Sequence, residues 1–146
     1  MTDAQVPQPQ VSRLHYAVSY PDTDSAGIVA HGRYVEMSER ARHHLLKSIG
    51  LSYAILCAEH ATLLLIHKIS AVFQSPALLE DELLLVTALT EVSRSRTTWL
   101  TLITRGGTEL AQVSAELVAL APESRTVRPM PEILLERLAP FLGPPG

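Results

Sequence analysis

The sequence predicts an α+β domain, and three observations carry that reading. Residues 13–20 alternate with the period of a strand, residues 33–49 follow the period of a helix, and residues 63–120 hold four strand-like runs in succession. A helix too apolar on one face to stand alone then has one sheet to pack against.

In order along the chain, residues 1–11 include Gln5, Pro7, Gln8, Pro9 and Gln10 and read as a flexible lead-in. In the next run Leu14, Tyr16, Val18 and Tyr20 point one way, and Arg13, His15, Ala17 and Ser19 the other, up to a stop at Pro21. The segment Pro21-Asp22-Thr23-Asp24-Ser25-Ala26-Gly27 is dense in turn formers. Over 33–49, Tyr34, Met37, Ala41 and Leu45 recur at helical spacing, while Glu36, Glu39, Arg40, Arg42 and Lys47 take the other face. Glu36 and Arg40 stand at i,i+4, and Gly50 supplies a C-terminal stop.

Residues 51–61 suggest a helical turn, and strand-like runs follow at 63–74, 82–92, 97–104 and 109–120. The nearly all-apolar Leu83–Leu89 also suits a buried helix. Its neighbours argue for a strand, since Thr97, Thr98, Trp99, Thr101 and Ile103 are strand formers. Gly106-Gly107 marks a tight hairpin. Residues 131–142 read as a short terminal helix opened by Pro131 and limited by Pro140, and 143–146 as a tail. One domain over 12–142 accounts for the whole pattern.

Composition narrows the function. A net charge of −3 gives no general electrostatic reason to bind nucleic acid or an anionic membrane. No run approaches the roughly 18 apolar residues of a membrane span. The first ten residues lack the basic and apolar regions of a secretory signal. The single cysteine, Cys57, suits a reducing compartment. A cytoplasmic protein is expected.

The chemistry gathers between Tyr20 and Gly50. Two carboxylates, Asp22 and Asp24, sit in a turn that leads into a helix, whose first N–H groups lack internal partners and carry partial positive charge. Such an N–H stabilises an oxygen that gains charge in a tetrahedral transition state, and a carboxylate beside it can attack an acyl carbon or activate water. The same Asp-Thr-Asp-Ser run also reads as turn-making and helix capping. Residue types alone leave both readings open.

The stretch resembles the 4-hydroxybenzoyl-CoA thioesterase family, and especially its YbgC-type acyl-CoA thioesterase branch. The matching residues are Tyr20, Asp22, Thr23, Asp24, Gly27, Ile28, Val29, His31 and Tyr34, followed by Glu39-Arg40-Ala41-Arg42. Ser75-Pro76-Ala77 with Asp81 resembles a second, inter-strand turn of that family. The resemblance implies a hot-dog fold, a curved antiparallel sheet wrapped around one long central helix. It implies dimers joined sheet edge to sheet edge, often paired into homotetramers, with active sites near the subunit interface. It places the catalytic carboxylate at Asp24, the carbonyl-polarising N–H at His31, and the substrate against Gly27, Ile28, Val29 and Tyr34. Asp22 and Thr23 then shape the loop. The family often carries Tyr or Trp before the histidine; Ala30 stands here, which reshapes the acyl pocket.

The implied activity is acyl-CoA thioester hydrolysis, with acyl carrier protein as another carrier and no cofactor or metal. The rival is a non-catalytic hot-dog protein that binds acyl-CoA. Arg94 and Arg96 are candidates for the coenzyme phosphates, ahead of Lys68 and Arg128. His43, His44, His60 and His67 lack a metal-ligand spacing, and no serine sits in a Gly-x-Ser-x-Gly elbow. Glu36 and Glu39 rank second as catalytic acids.

Overall fold

The computed structural model describes residues 8–144. Most of the predicted lead-in, residues 1–7, and the end of the tail, residues 145–146, lie outside the described residues.

Strand β1 (Ser12–Ala17) shows the predicted alternation, half-buried at Leu14 and Tyr16 and exposed at Arg13 and His15. It ends sooner than predicted. Val18 is buried and donates its N–H to the Asp81 carbonyl at 2.9 Å, and Tyr20–Asp22 form one 3-10 turn that leaves Tyr20 79% exposed. Pro21 has a fixed φ and no N–H to give a ladder, so Tyr20 does not share the face of Leu14.

Helix α1 (His31–Ser48) starts two residues before the predicted boundary, at an Ala30 cap with extended backbone. Tyr34, Met37, Ala41 and Leu45 are buried, as their spacing predicts. Arg42 is a correction: it is 2% exposed, not on a solvated face, and its Nε donates to the Tyr53 hydroxyl at 3.0 Å. Glu36 is a second. It pairs with Arg33 at 2.6 Å, not with Arg40. At the other end Gly50, with φ +75°, donates its N–H to Lys47, and the Arg137 guanidinium takes the Ile49 carbonyl at 2.8 Å.

The suspected helical turn is helix α2 (Tyr53–His60), capped where Ser52 accepts the Ile55 N–H. Four strands follow: β2 (Leu63–Phe73), β3 (Glu82–Val92), β4 (Arg96–Arg105) and β5 (Thr108–Leu120). The apolar run 83–89 is strand, hydrogen-bonded to β1 on one side and β4 on the other. Gly106 (φ +55°) and Gly107 (φ +84°) turn β4 into β5 with the left-handed backbone a two-residue hairpin needs. Helix α3 (Glu132–Leu138) is shorter than predicted; Pro140 falls in a following 3-10 turn, and Leu142 is 44% exposed.

The strands form one antiparallel sheet in the order β1-β3-β4-β5-β2. Its inner face wraps α1, which touches β1, β3, β4 and β5. One core cluster surrounds Tyr34, Met37 and Ala41, and the other surrounds Leu45, Leu46 and Trp99. This is the hot-dog fold. The long strand β2 lies at a sheet edge and leaves Leu65, Ile69, Val72 and Phe73 between 39% and 57% exposed.

Candidate active site

The loop between β1 and α1 is built around Asp22, which is 5% exposed. One carboxylate oxygen accepts the Tyr16 hydroxyl at 2.9 Å; the other accepts the Ser19 N–H at 2.9 Å and the Ser19 hydroxyl at 3.2 Å. Burial pushes this carboxyl's pKa up, but the Ser19 and Tyr16 bonds, aided by the nearby Arg33 charge, outweigh it and hold the pKa below the ordinary value. The Asp22 carbonyl accepts the Ala30 N–H at 3.0 Å, and Thr23 Oγ1 donates to the Tyr20 carbonyl. These two residues tie the loop to the start of the helix.

Asp24 closes the next turn on itself. Its N–H donates to the Ile28 carbonyl at 2.8 Å, and its carbonyl accepts the Gly27 N–H at 3.1 Å. Oδ1 accepts the Ala26 N–H at 2.8 Å and the Ile28 N–H at 3.4 Å. Oδ2 has no hydrogen-bond donor among the described residues, and the side chain is exposed on the isolated chain. Gly27 holds φ +78°, a conformation costly for any other residue here.

The turn is zipped to the segment after β2. Val29 donates to the Ala77 carbonyl at 2.9 Å, Leu79 donates to the Gly27 carbonyl at 3.2 Å, and Ile28 bridges Leu78. That segment has its own anchor in Asp81, which accepts the Leu78 N–H at 2.8 Å and pairs with Arg105. Burial raises the Asp81 pKa, and the Leu78 bond and the Arg105 charge bring it below the ordinary value.

Between the two segments lies a cleft of about 280 Å3. Ile28, Val29, His31 and Tyr34 form one wall; Phe73, Gln74, Ser75 and Pro76 form the other. His31 is the first residue of α1, so its N–H has no partner within the helix, and its ring stacks on Phe73 at 4.5 Å. Phe73 also meets Tyr34 edge-on at 5.3 Å. Tyr34 is buried and its hydroxyl accepts the Ala77 N–H at 2.9 Å.

Of the residues singled out from sequence, Asp24, Gly27, Ile28, Val29, His31 and Tyr34 therefore come together around one loop and one cleft. Arg94 and Arg96 do not join them. They follow the far end of β3, an 11-residue strand that begins beside Asp81, roughly 30 Å away at the rise of a strand. Arg96 is moreover paired with Glu116 at 3.0 Å. Arg128 is engaged with the His60 and Ala61 carbonyls, and Lys68 is exposed on β2. Glu36 and Glu39 line a separate groove along α1. Among the described residues no three His, Cys, Asp or Glu side chains gather closely enough to hold a metal ion.

Sequence reasoning missed the opposite wall. Phe73 and Gln74 give no signal of their own in the sequence, although the neighbouring Ser75-Pro76-Ala77 turn does. The alternation marks Tyr16 as an ordinary strand residue, and nothing in it shows that its hydroxyl reaches Asp22.

Comparison with known proteins follows the same outline. Residues 18–138 match the model of the Thioesterase-like superfamily. The acyl-CoA thioester hydrolase YbgC of Escherichia coli is 36% identical over 75 residues, which is 51% of this chain and 55% of that protein. The acyl-CoA thioesterase YbgC of Haemophilus influenzae is 32% identical over the same shares, so the chain spans about half the length of the curated relatives it matches. A crystal structure of a 1,4-dihydroxy-2-naphthoyl-CoA thioesterase from Synechocystis superposes with a TM-score of 0.82 at 24% identity, over 89% of this chain and 96% of that one, a likeness of fold. No helix among the described residues is long and apolar enough to cross a membrane. From Val18, its first buried core residue, to the end of its last α-helix, this chain belongs to the Thioesterase-like superfamily.

Proposed function

We propose that this protein hydrolyses acyl-CoA thioesters, with Asp24 as the carboxylate and the His31 N–H as the donor to the thioester oxygen. The observation that carries the reading is the closed 24–28 turn, which delivers the chain directly to the entrance of α1 beside the cleft. An N–H at that point has no helical partner and sits in the positive end of the helix field. It strengthens its bond as the carbonyl oxygen gains negative charge.

Two balanced routes use this arrangement. In one, Asp24 attacks the acyl carbon, the C–S bond breaks, coenzyme A leaves as thiolate, and water then cleaves the mixed anhydride. In the other, Asp24 takes a proton from a water that attacks, and that proton passes to the departing thiolate. The free Oδ2 serves either route. Gly27, Ile28, Val29 and Tyr34 hold the acyl end through backbone and apolar contacts. Acyl carrier protein is the other carrier that the reading admits.

A dimer belongs to the same proposal. Strand β2 exposes apolar side chains and an unpaired edge, and a second copy added there covers both and shields the 24–31 region from water. A pair of such dimers makes a tetramer. The lone exposed Cys57 suits a cytoplasmic setting.

One observation favours the non-catalytic alternative. The Asp24 Oδ1 bond to the Ala26 N–H is also what a plain turn-making aspartate forms. A thiol-release assay with DTNB across an acyl-CoA panel separates the two. Turnover that disappears in Asp24→Asn upholds hydrolysis; tight acyl-CoA binding without turnover establishes the alternative.

A further inference from the structure

Asp22 carries more bonds than its own turn requires. The Ser19 N–H and hydroxyl close the Tyr20–Asp22 turn on one carboxylate oxygen. The Tyr16 hydroxyl adds nothing to that turn. It reaches the other oxygen at 2.9 Å from β1, where Tyr16 stands opposite Leu83 in the sheet. Buried to 5% exposure and bonded in this way, the Asp22 carboxylate is fixed to the sheet.

The main chain of the same residue is tied to the helix entrance. Residues 22–24 and 28–30 form a short two-stranded ladder around the Asp24–Gly27 turn. Ala30 donates to the Asp22 carbonyl at 3.0 Å, Asp24 donates to the Ile28 carbonyl at 2.8 Å, and Thr23 bridges Val29. Asp24 stands at the turn end of this ladder, and Ala30 at the open end next to His31.

Ala30 is held on both sides. Its N–H is bound by Asp22, and its carbonyl accepts the Arg33 N–H at 2.9 Å. That carbonyl shares a peptide plane with the His31 N–H, and in a trans peptide the two point in opposite directions. With the carbonyl turned into the helix, the His31 N–H faces out of its start. Rotation of this one peptide would put an oxygen where the donor stands. Ala30 makes no side-chain cap of its own, so the Asp22 contact is what resists that rotation from the N-terminal side.

Resting on the thioester-hydrolase reading, we propose that Asp22 is a positioning residue for the His31 N–H, with Tyr16 as its anchor. Both act through the Ala30–His31 peptide and touch no substrate. The two acids of the loop then have separate tasks: buried Asp22 sets the donor, and exposed Asp24 acts on the acyl carbon or on water. An interaction used only in the transition state shows in kcat and not in KM.

The test measures kcat and KM by thiol release across an acyl-CoA panel in the wild type, Tyr16→Phe, Asp22→Asn and Asp22→Ala. Removing an oxyanion donor outright costs about 100- to 1,000-fold in turnover, and loosening one costs less. Tyr16→Phe is expected to lower kcat by about 10-fold and Asp22→Ala by about 100-fold, with KM within about twofold of the wild type. Asp22→Asn, which still accepts from Tyr16, recovers part of the Asp22→Ala loss. The infrared carbonyl stretch of a bound ketone analogue, the best substrate with CH2 in place of sulfur, reads the donor directly. It should lie lower on the wild type than on Tyr16→Phe, a difference that reduced stability alone does not produce.

An unchanged kcat in Tyr16→Phe overturns the proposal. So does a loss confined to KM, or a fall in kcat with the stretch unmoved. Tyr16→Phe keeps the ring, and it decides the matter if Asp22→Ala does not fold. If the wild type turns over no thioester, the hydrolase reading fails by itself. The His31 amide resonance, in protein labelled with 15N-histidine, then decides the placement. A shift in Tyr16→Phe with His43, His44, His60 and His67 unmoved upholds it; an unmoved His31 overturns it.

Discussion

The Tyr34 hydroxyl accepts the N–H of Ala77 at 2.9 Å, which joins the first turn of α1 to the segment that leaves β2. The two walls of the cleft are held apart at a set distance by that bond and by the Phe73 ring packed on both His31 and Tyr34. Tyr34→Phe keeps the ring and strands a buried N–H, at a cost of about 1–3 kcal/mol. Calorimetry should show the melting temperature fall by about 3–10 °C. An unchanged melting temperature would show that the bond does not hold the walls.

Asp24→Asn keeps an oxygen that can accept from Ala26, so the fold should survive with a melting temperature close to the wild type. Loss of the base or nucleophile should lower thiol release by about 100-fold or more. Near-normal turnover would remove Asp24 from the mechanism.

Asp22 predicts an acid limb in stability. Its folded pKa lies below the unfolded value of about 3.9, so its contribution is fully present above that value and is lost as pH falls through the lower folded pKa. Asp81 adds to the same limb in the same direction. Melting temperature measured from pH 7 down to pH 3 should drop at the acid end. Asp22→Asn should start lower at pH 7 and give a flatter curve; a variant curve parallel to the wild type would refute the assignment.

Ile69 and Val72 test the β2 edge. The double change Ile69→Lys and Val72→Lys places charge on a strand that needs a partner, as natural edge strands do to stay unpaired. Light scattering after gel filtration should shift from dimer to monomer, with a matching fall in thiol release. Wild-type protein that is already monomeric and active would exclude the dimer from the site.

Much of this molecule was legible from residue order. The helical period placed Tyr34, Met37, Ala41 and Leu45 in the core, the paired glycines placed the β4–β5 hairpin, and the runs at 63–120 became four strands with boundaries shifted by a residue or so. Such features depend on neighbours within a few residues, through backbone sterics and the direction in which successive side chains point. Packing between distant segments settled the rest. Arg42 looked solvated on its helix and became buried once α2 delivered Tyr53. Phe73 acquired its place only because β2 ends against His31, and Arg94 and Arg96 were carried off by the length of β3. A period along the chain says which side of an element is apolar; which remote side chain comes to cover it depends on contacts that close long loops, and those leave no local trace.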